Sequence, residues 1–269
     1  MTFGVYFNKN YINDNRPYVD KITQFLTERG LNCKIVENFA DLDGLDVLFV
    51  LGGDGTILMI ASECAKRGVK IIGINYGHVG FLAQFEPSRL DEALNLVCDG
   101  SYAIQKRSML KITCGGEEFL ALNDLVIQRS TGGNEFSNTV DLRAEIDGSV
   151  VDNYSSDGII VSTPTGSTAY SLSAGGSILT PELHAFIMTP ICAHSLHSRP
   201  VVYSNSSVLE IFPTKVNRQL NLVVDGIIKT VVAEGDCVRV EKSLYEVEFI
   251  GDDINFFEKL LLKLNKWSK

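Results

Sequence analysis

Residues 46–56 read Asp46-Val47-Leu48-Phe49-Val50-Leu51-Gly52-Gly53-Asp54-Gly55-Thr56. The run Asp46–Leu51 is continuously apolar after its first residue instead of alternating, the pattern of a strand buried on both faces in a parallel sheet. It stops at two glycines, and helical spacing follows from about Thr56 to Arg67, closed by Gly68. The flanks repeat this unit. Upstream, Phe3–Phe7 reads as a strand. Pro17–Arg29 reads as a helix through Val19, Ile22, Phe25 and Leu26, stopped by Gly30, and Asn32–Val36 reads as another strand. Downstream come the strand Lys70–Ile74 and a helix around Ser88–Val97. This alternation predicts a parallel sheet covered by helices, a Rossmann-like α/β domain over residues 1–100.

The periodicity then changes. Short β-rich segments recur at Lys111–Thr113, Leu125–Gln128, Asp141–Ile146, Ile159–Ser162, Val208–Phe212, Leu220–Val224 and Val238–Val240. Asp147-Gly148 and Asp225-Gly226 lie between apolar runs and read as hairpin turns. Residues 101–253 therefore read as a β-rich, sandwich-like domain. The tail, Ile254–Trp267, is an amphipathic helix expected to pack back on the α/β part. The fold class is α/β followed by β, with the boundary near residue 100 resting on the change of periodicity.

Of the 269 residues, 45% are hydrophobic and 21% charged, and the formal charge is −9. The apolar content excludes disorder, and the acidic balance argues against a sequence-independent binder of nucleic acid, which needs a cationic surface. No apolar run approaches the roughly 20 residues of a membrane helix. The first residues carry no charged-then-apolar leader, so the expected compartment is the cytoplasm. The six cysteines are scattered without a C-x-x-C pair, and they read as reduced, mostly buried thiols. His194 and His197 are accompanied by no further ligand pattern, so no residue is assigned to a metal.

Two loops and one dipeptide carry the chemistry. Gly52, Gly53, Gly55 and Thr56 sit between a buried strand and a helix, where backbone N–H groups and the helix dipole favour phosphate. Thr56 reads as the helix N-cap. A carboxylate in such a loop repels phosphate, so Asp54 needs its own reason to be there: capping the turn, holding Mg²⁺, or accepting the proton of an attacking hydroxyl. Gly77-His78-Val79-Gly80-Phe81 follows the next strand, and Phe81 offers an aromatic face to a base. The second loop, Ser162-Thr163-Pro164-Thr165-Gly166-Ser167-Thr168-Ala169-Tyr170-Ser171, concentrates hydroxyls suited to ribose and phosphate oxygens, and Ser171–Gly176 is small enough to begin a helix. Asn123-Asp124, at a strand break, suits ribose hydroxyls or a nucleobase, and is also ordinary turn chemistry.

In order and spacing, Gly52–Thr56, Gly77–Phe81, Asn123-Asp124 and Asp157-Gly158 through Ser162–Tyr170 resemble the bacterial type of ATP-dependent NAD kinase, and the likeness covers nearly the whole chain. Glycine loops of the first kind also occur in lipid kinases and phosphofructokinases. The long threonine-rich motif is the specific one. The resemblance implies two domains with a crevice between them and transfer of the ATP γ-phosphoryl group to the 2′-hydroxyl of the adenosine ribose of NAD. It implies Asp54 as the base, phosphates cradled by Gly52, Gly53, Gly55 and Thr56, and Asn123 and Asp124 at the ribose and nicotinamide end. It places Asp157, Thr168, Ala169, Tyr170 and Ser173 around the adenine and ribose, with Phe81 nearby, and counts Asp54, Gly55, Ser155, Thr165, Ser171 and Leu172 among the residues that bind the nucleotide. It implies ATP and NAD as substrates, Mg²⁺ or another divalent cation, and a homodimer or homotetramer. Many relatives carry Glu in place of Asp124, Arg in place of Ser155, and a polar residue in place of Ile227. The rival readings are a lipid kinase, which needs an apolar acceptor pocket, and a non-catalytic NAD(P)-binding regulator.

Overall fold

In the computed structural model, which describes residues 1–8, 12–75, 80–130, 139–216, 219–251 and 256–267, the apolar run at 46–51 becomes a fully buried strand. The first elements are β1 (Thr2–Phe7), α1 (Ile12–Glu28), β2 (Asn32–Ile35), β3 (Val47–Leu51), α2 (Asp54–Arg67), β4 (Lys70–Ile74) and α3 (Leu90–Cys98). The strands lie in the order β2-β1-β3-β4, all parallel, with Phe3 opposite Val47 and Leu51 opposite Ile74. Val19, Ile22 and Leu26 of α1 and Leu90, Ala93, Leu94 and Val97 of α3 share one core with Phe3, Val5, Phe49 and Leu51. A Cβ on Gly73 of β4 would lie 2.7 Å from Ile57 Cδ1 of α2, so glycine is what lets that helix side chain reach the sheet.

The remaining elements are β5 (Ala103–Cys114), β6 (Glu117–Ala121), β7 (Asp124–Arg129), β8 (Val140–Ile146), β9 (Ser149–Ser156), β10 (Gly158–Ser162), α4 (Tyr170–Ser173), β11 (Ala185–Ile191), β12 (Val201–Ser204), β13 (Leu209–Lys215), β14 (Leu220–Val224), β15 (Ile227–Val232), β16 (Val238–Gly251) and α5 (Phe256–Trp267). One antiparallel sheet runs β12-β11-β10-β7-β14-β15. A second antiparallel array pairs β16 with β13, β13 with β8, and β8 with β9. Leu125, Ile127, Ile159 and Val161 from the first meet Leu142, Tyr154, Leu209 and Val240 from the second in one core, the arrangement of a sandwich.

The chain forms two compact units, Met1–Arg107 with Tyr245–Lys269, and Ser108–Leu244. Both passages fall inside a strand, β5 and β16, so no shift of composition marks them, whereas the periodicity pointed to 100 and 253. In the first unit the last part of β16 pairs parallel with β4, Phe249 opposite Ile71. There α5 packs back on the α/β elements: the Phe256 ring lies 6.4 Å from that of Phe81, and buried Lys259 donates to Gln84 Oε1. No described helix is long and apolar enough to cross a membrane.

Candidate functional site

The glycine loop leaves the carboxyl end of β3. Gly52 has φ +152°, and a Cβ there would lie 2.4 Å from Thr56 Oγ1, so only glycine fits. The helix begins earlier than its sequence suggested. Gly53, extended at φ −78° and ψ −176°, is the N-cap, Asp54 opens the first turn, and Thr56 lies within it. Thr56 is therefore not the cap; its backbone N–H already donates to the Gly53 carbonyl at 2.9 Å. Gly53 has no side chain to cap with, which leaves the helix end to backbone N–H groups. Among the described residues nothing lies within 4 Å of where a Gly55 Cβ would be. A helical glycine costs about 1 kcal/mol relative to alanine, and no packing or positive φ requires it here.

Asp54 is held tightly. Its Oδ2 accepts from Phe81 N at 2.8 Å and its Oδ1 from Leu82 N at 3.1 Å. A Cβ on Gly80 would lie 1.9 Å from Asp54 Oδ1, so Gly80 is glycine to admit this carboxylate. Gly77, His78 and Val79 of the same sequence segment lie outside the described residues. The clamp fixes the Asp54 carboxylate at the N-terminal end of α2, where negative charge is favoured.

The other candidates gather in the second unit. Asn123 immediately precedes β7 and Asp124 opens it, directly beside the end of β10, with Asp124 opposite Ser162. The hydroxyl-rich loop has a structural use that its composition hides. Ser162 Oγ and Thr163 N donate to the Asn123 carbonyl at 3.2 and 2.9 Å, and Thr163 Oγ1 donates to the Leu122 carbonyl at 2.6 Å. Ser167 Oγ donates to the Pro164 carbonyl at 2.7 Å, Thr168 Oγ1 to the Thr165 carbonyl at 3.3 Å, and Ser171 Oγ pairs with Thr189 Oγ1 at 2.9 Å. Ser162, Thr163 and Ser171 stitch the loop to neighbouring segments, while Ser167 and Thr168 tie the loop to itself. The helix expected from Ser171 is a single turn, α4, with Ala169 as its N-cap. Leu172 is half-buried, while Tyr170 and Ser173 are exposed. Thr165 is half-buried at the loop apex.

Ser155 bonds Thr139 through its hydroxyl at 2.9 Å. Asp157 is locked twice to Arg129, by its Oδ1 to Nε at 2.9 Å and by its carbonyl to the backbone N–H at 3.1 Å. The Tyr170 phenol is raised above its ordinary value by partial burial and then by the charges of Cys192, Asp124 and Asp157. Burial, reinforced by Asp225, pushes the Asp124 carboxyl up to about 7. Asp225 itself is pushed up to about 6 by burial, against the pull of three backbone N–H donors. The sequence showed Asp225 only as a turn residue, and Gly80, Gly166 and Arg129 not as partners of the site. Their contacts join segments distant in the chain, which periodicity cannot register.

Residues 12–102 match the ATP-NAD kinase N-terminal domain, and residues 122–251 match the ATP-NAD kinase C-terminal domain. The chain belongs to the ATP-NAD kinase family. Within that family it is 40% identical over 227 residues to the NAD kinase of Caldanaerobacter subterraneus, covering 82% of this chain and 79% of the relative. It is 34% identical over 252 residues to the NAD kinase of Chlorobaculum tepidum, covering 93% and 87%. An NAD kinase from Archaeoglobus fulgidus solved in complex with ATP superposes with a TM-score of 0.80 at 26% identity, covering 97% of this chain and 99% of that one. Yeast NADH kinase complexed with NADH shares the fold, with a TM-score of 0.85 at 24% identity, covering 98% and 88%. The kinase fold is thus matched through both units of this family member.

Proposed function

We propose that this enzyme transfers the γ-phosphoryl group of ATP to the 2′-hydroxyl of the adenosine ribose of NAD, with Asp54 as the base. The observation that carries the reading is the Asp54 carboxylate, clamped by two backbone N–H groups inside a glycine loop whose Gly55 position is open. The ribose oxygen forms a bond to the γ-phosphorus, the bond from that phosphorus to the β,γ-bridging oxygen breaks, and ADP leaves. Asp54 takes the hydroxyl proton and returns it to solvent. The clamp keeps the carboxylate oriented, and the loop N–H groups of Gly52–Thr56 offset phosphate charge that a −9 protein does not meet with a basic surface.

On the same reading Asn123 and Asp124 hold the ribose and nicotinamide end of NAD. Asp157, Ala169, Tyr170 and Ser173 meet the adenine half, and Phe81 offers its ring to a base. Thr168 and Ser171 shape that half through the backbone they anchor. Among the described residues no three His, Cys, Asp or Glu side chains are grouped as a metal cage requires. On this reading a Mg²⁺ ion would enter with the ATP phosphates and keep water ligands, and no side chain is assigned to it. When bound, the ion neutralises charge on the phosphoryl group in transfer.

Incubation with NAD, ATP and Mg²⁺, with NADP read by a coupled dehydrogenase, tests the activity. Asp54→Asn is expected to lower kcat by about 10²–10⁴-fold while NAD binding, measured by calorimetry, persists. A near-normal rate in that variant would remove Asp54 from the role of base.

A further inference from the structure

We propose that Asp225 is a positioning residue for the reaction: it grips the backbone of residues 122–124 and so presents Asn123 and Asp124 to NAD. This rests on the reading above that those two side chains hold NAD. Asp225 sits in the hairpin between β14 and β15, about a hundred residues further along the chain. Its Oδ2 accepts from Leu122 N at 2.8 Å, and its Oδ1 accepts from Asn123 N at 2.8 Å and from Asp124 N at 3.0 Å. In return Asp225 N donates to the Asp124 carbonyl at 3.0 Å.

The turn itself does not demand this. With φ +47° at Asp225 and +80° at Gly226, the hairpin needs residues that tolerate the left-handed region, which Asn or Gly also satisfy. Three convergent N–H donors need two acceptor oxygens and are best met by a full negative charge. The carbonyl side of the same segment is held from elsewhere. Thr163 takes the Leu122 carbonyl, and Ser162 and Thr163 take that of Asn123. A Cβ on Gly166 would lie 2.1 Å from the Asn123 oxygen, which shows how closely the loop is pressed there. The backbone is held on both sides, and the two side chains are what remains to meet a ligand.

The grip also sets charge. Burial raises both carboxyls; the three N–H donors and Lys229 of β15 pull Asp225 back toward its charged form, and that charge adds to burial in raising Asp124. Tyr170 is the titratable side chain coupled to Asp124 from α4. Only ionised Asp124 offers both oxygens to ribose hydroxyls, so proton uptake near neutrality competes with NAD.

The test is initial-rate kinetics of Asp225→Asn against wild type, with NAD and ATP varied separately between about pH 5 and about pH 8. We expect the NAD KM to rise by about tenfold or more, the loss of a charged hydrogen bond, with the ATP KM within about twofold. The acid limb of kcat/KM for NAD moves to lower pH, because Asp124 loses its charged neighbour. A loss of folded protein alone would move neither the KM ratio nor the limb. Unchanged NAD KM, or equal effects on both substrates with an unmoved limb, overturns the proposal. Asn123→Ala and Asp124→Asn are run alongside. If they too leave NAD KM unchanged, the assignment of NAD to this pair fails. If they raise it and Asp225→Asn does not, only the positioning role fails. Should the variant not fold, amide hydrogen exchange of the wild-type enzyme decides: Leu122, Asn123 and Asp124 must all be protected, and exchange at loop rates overturns the proposal.

Discussion

Asp147-Gly148 and Asp225-Gly226 are the same turn used for two different purposes. Both are two-residue connections between antiparallel strands, Ile146 opposite Ser149 in one and Val224 opposite Ile227 in the other. Their backbones are nearly superimposable in angle, with φ of +50° and +77° against +47° and +80°. At the first turn the exposed Asp147 carboxylate accepts from Val208 N at 2.9 Å, and that bond with Ser207 holds it below its ordinary value. At the second, the carboxylate is buried, accepts from three consecutive N–H groups and is pushed up to about 6. The backbone conformation comes from the local pair of residues. What the side chain does comes from what the fold brings to it.

The largest expected difference is in stability. Asp225→Ala strands three N–H groups at a buried loop, at about 1–3 kcal/mol each, so a loss of about 3 kcal/mol or more is expected in urea denaturation. Asp147→Ala removes only the exposed bonds to Val208 N and Ser207 and should change little. Equal losses would show that the turn, and not the grip on residues 122–124, is what Asp225 provides.

The pH dependence separates the two next. Asp124 and Asp225 have folded values raised from 3.8 to about 7 and about 6, so they bind protons more strongly folded than unfolded. Their contribution is present in full below the unfolded value and is lost as pH rises through about 6 and about 7. The ligand-free enzyme should lose on the order of 2 kcal/mol or more between about pH 5 and about pH 8, and Asp124→Asn should flatten much of that slope in thermal melts. Asp147 has the opposite sign: lowered from 3.8, it contributes above that value and loses the contribution as pH falls below it. A slope unaltered by Asp124→Asn would detach the pair from the pH response.

The smallest difference should be none. Gly148 and Gly226 both have positive φ with open space where a Cβ would go. Alanine at either costs about 1–2 kcal/mol for the left-handed backbone alone. Matching midpoint shifts in the two variants confirm that the turns are locally equivalent, and a much larger loss at Gly226 would mean that the grip depends on the second turn residue as well.

Much of the fold was legible in the chain. β3 and β4 were readable almost to the residue, because buried parallel strands are largely apolar runs, β3 stopping at Gly52 and β4 starting just after the helix-ending Gly68. The two Asp-Gly turns were legible for the same local reason. Of the candidate site, the glycine loop and Asp54 stood out because strand, glycines and helix follow one another. Three things were not legible. The cap lies at Gly53 and not Thr56, since a residue without a side chain leaves no capping signature. The hydroxyls of Ser162, Thr163 and Ser167 are consumed by neighbouring carbonyls, which composition cannot distinguish from hydroxyls offered to a ligand. β16 runs from Val238 to Gly251, far past the segment that alternation picked out, because the pattern inverts at its middle: Ser243 is buried while Leu244 and Tyr245 are exposed.

By itself the sequence determined the parallel α/β unit, the β-rich remainder, the family and the loop that carries Asp54. The units and the loop depend on residues within one or two elements of each other, where period and turn chemistry act directly, and the family follows from the order and spacing of such local motifs along the chain. Only the tertiary structure decided that Gly80 must admit the Asp54 carboxylate, that Gly166 presses on Asn123, and that Asp225 is the hand that holds residues 122–124. Those are contacts between segments far apart in the chain. A hydrogen bond across such a distance costs nothing in local pattern, so it leaves no trace there.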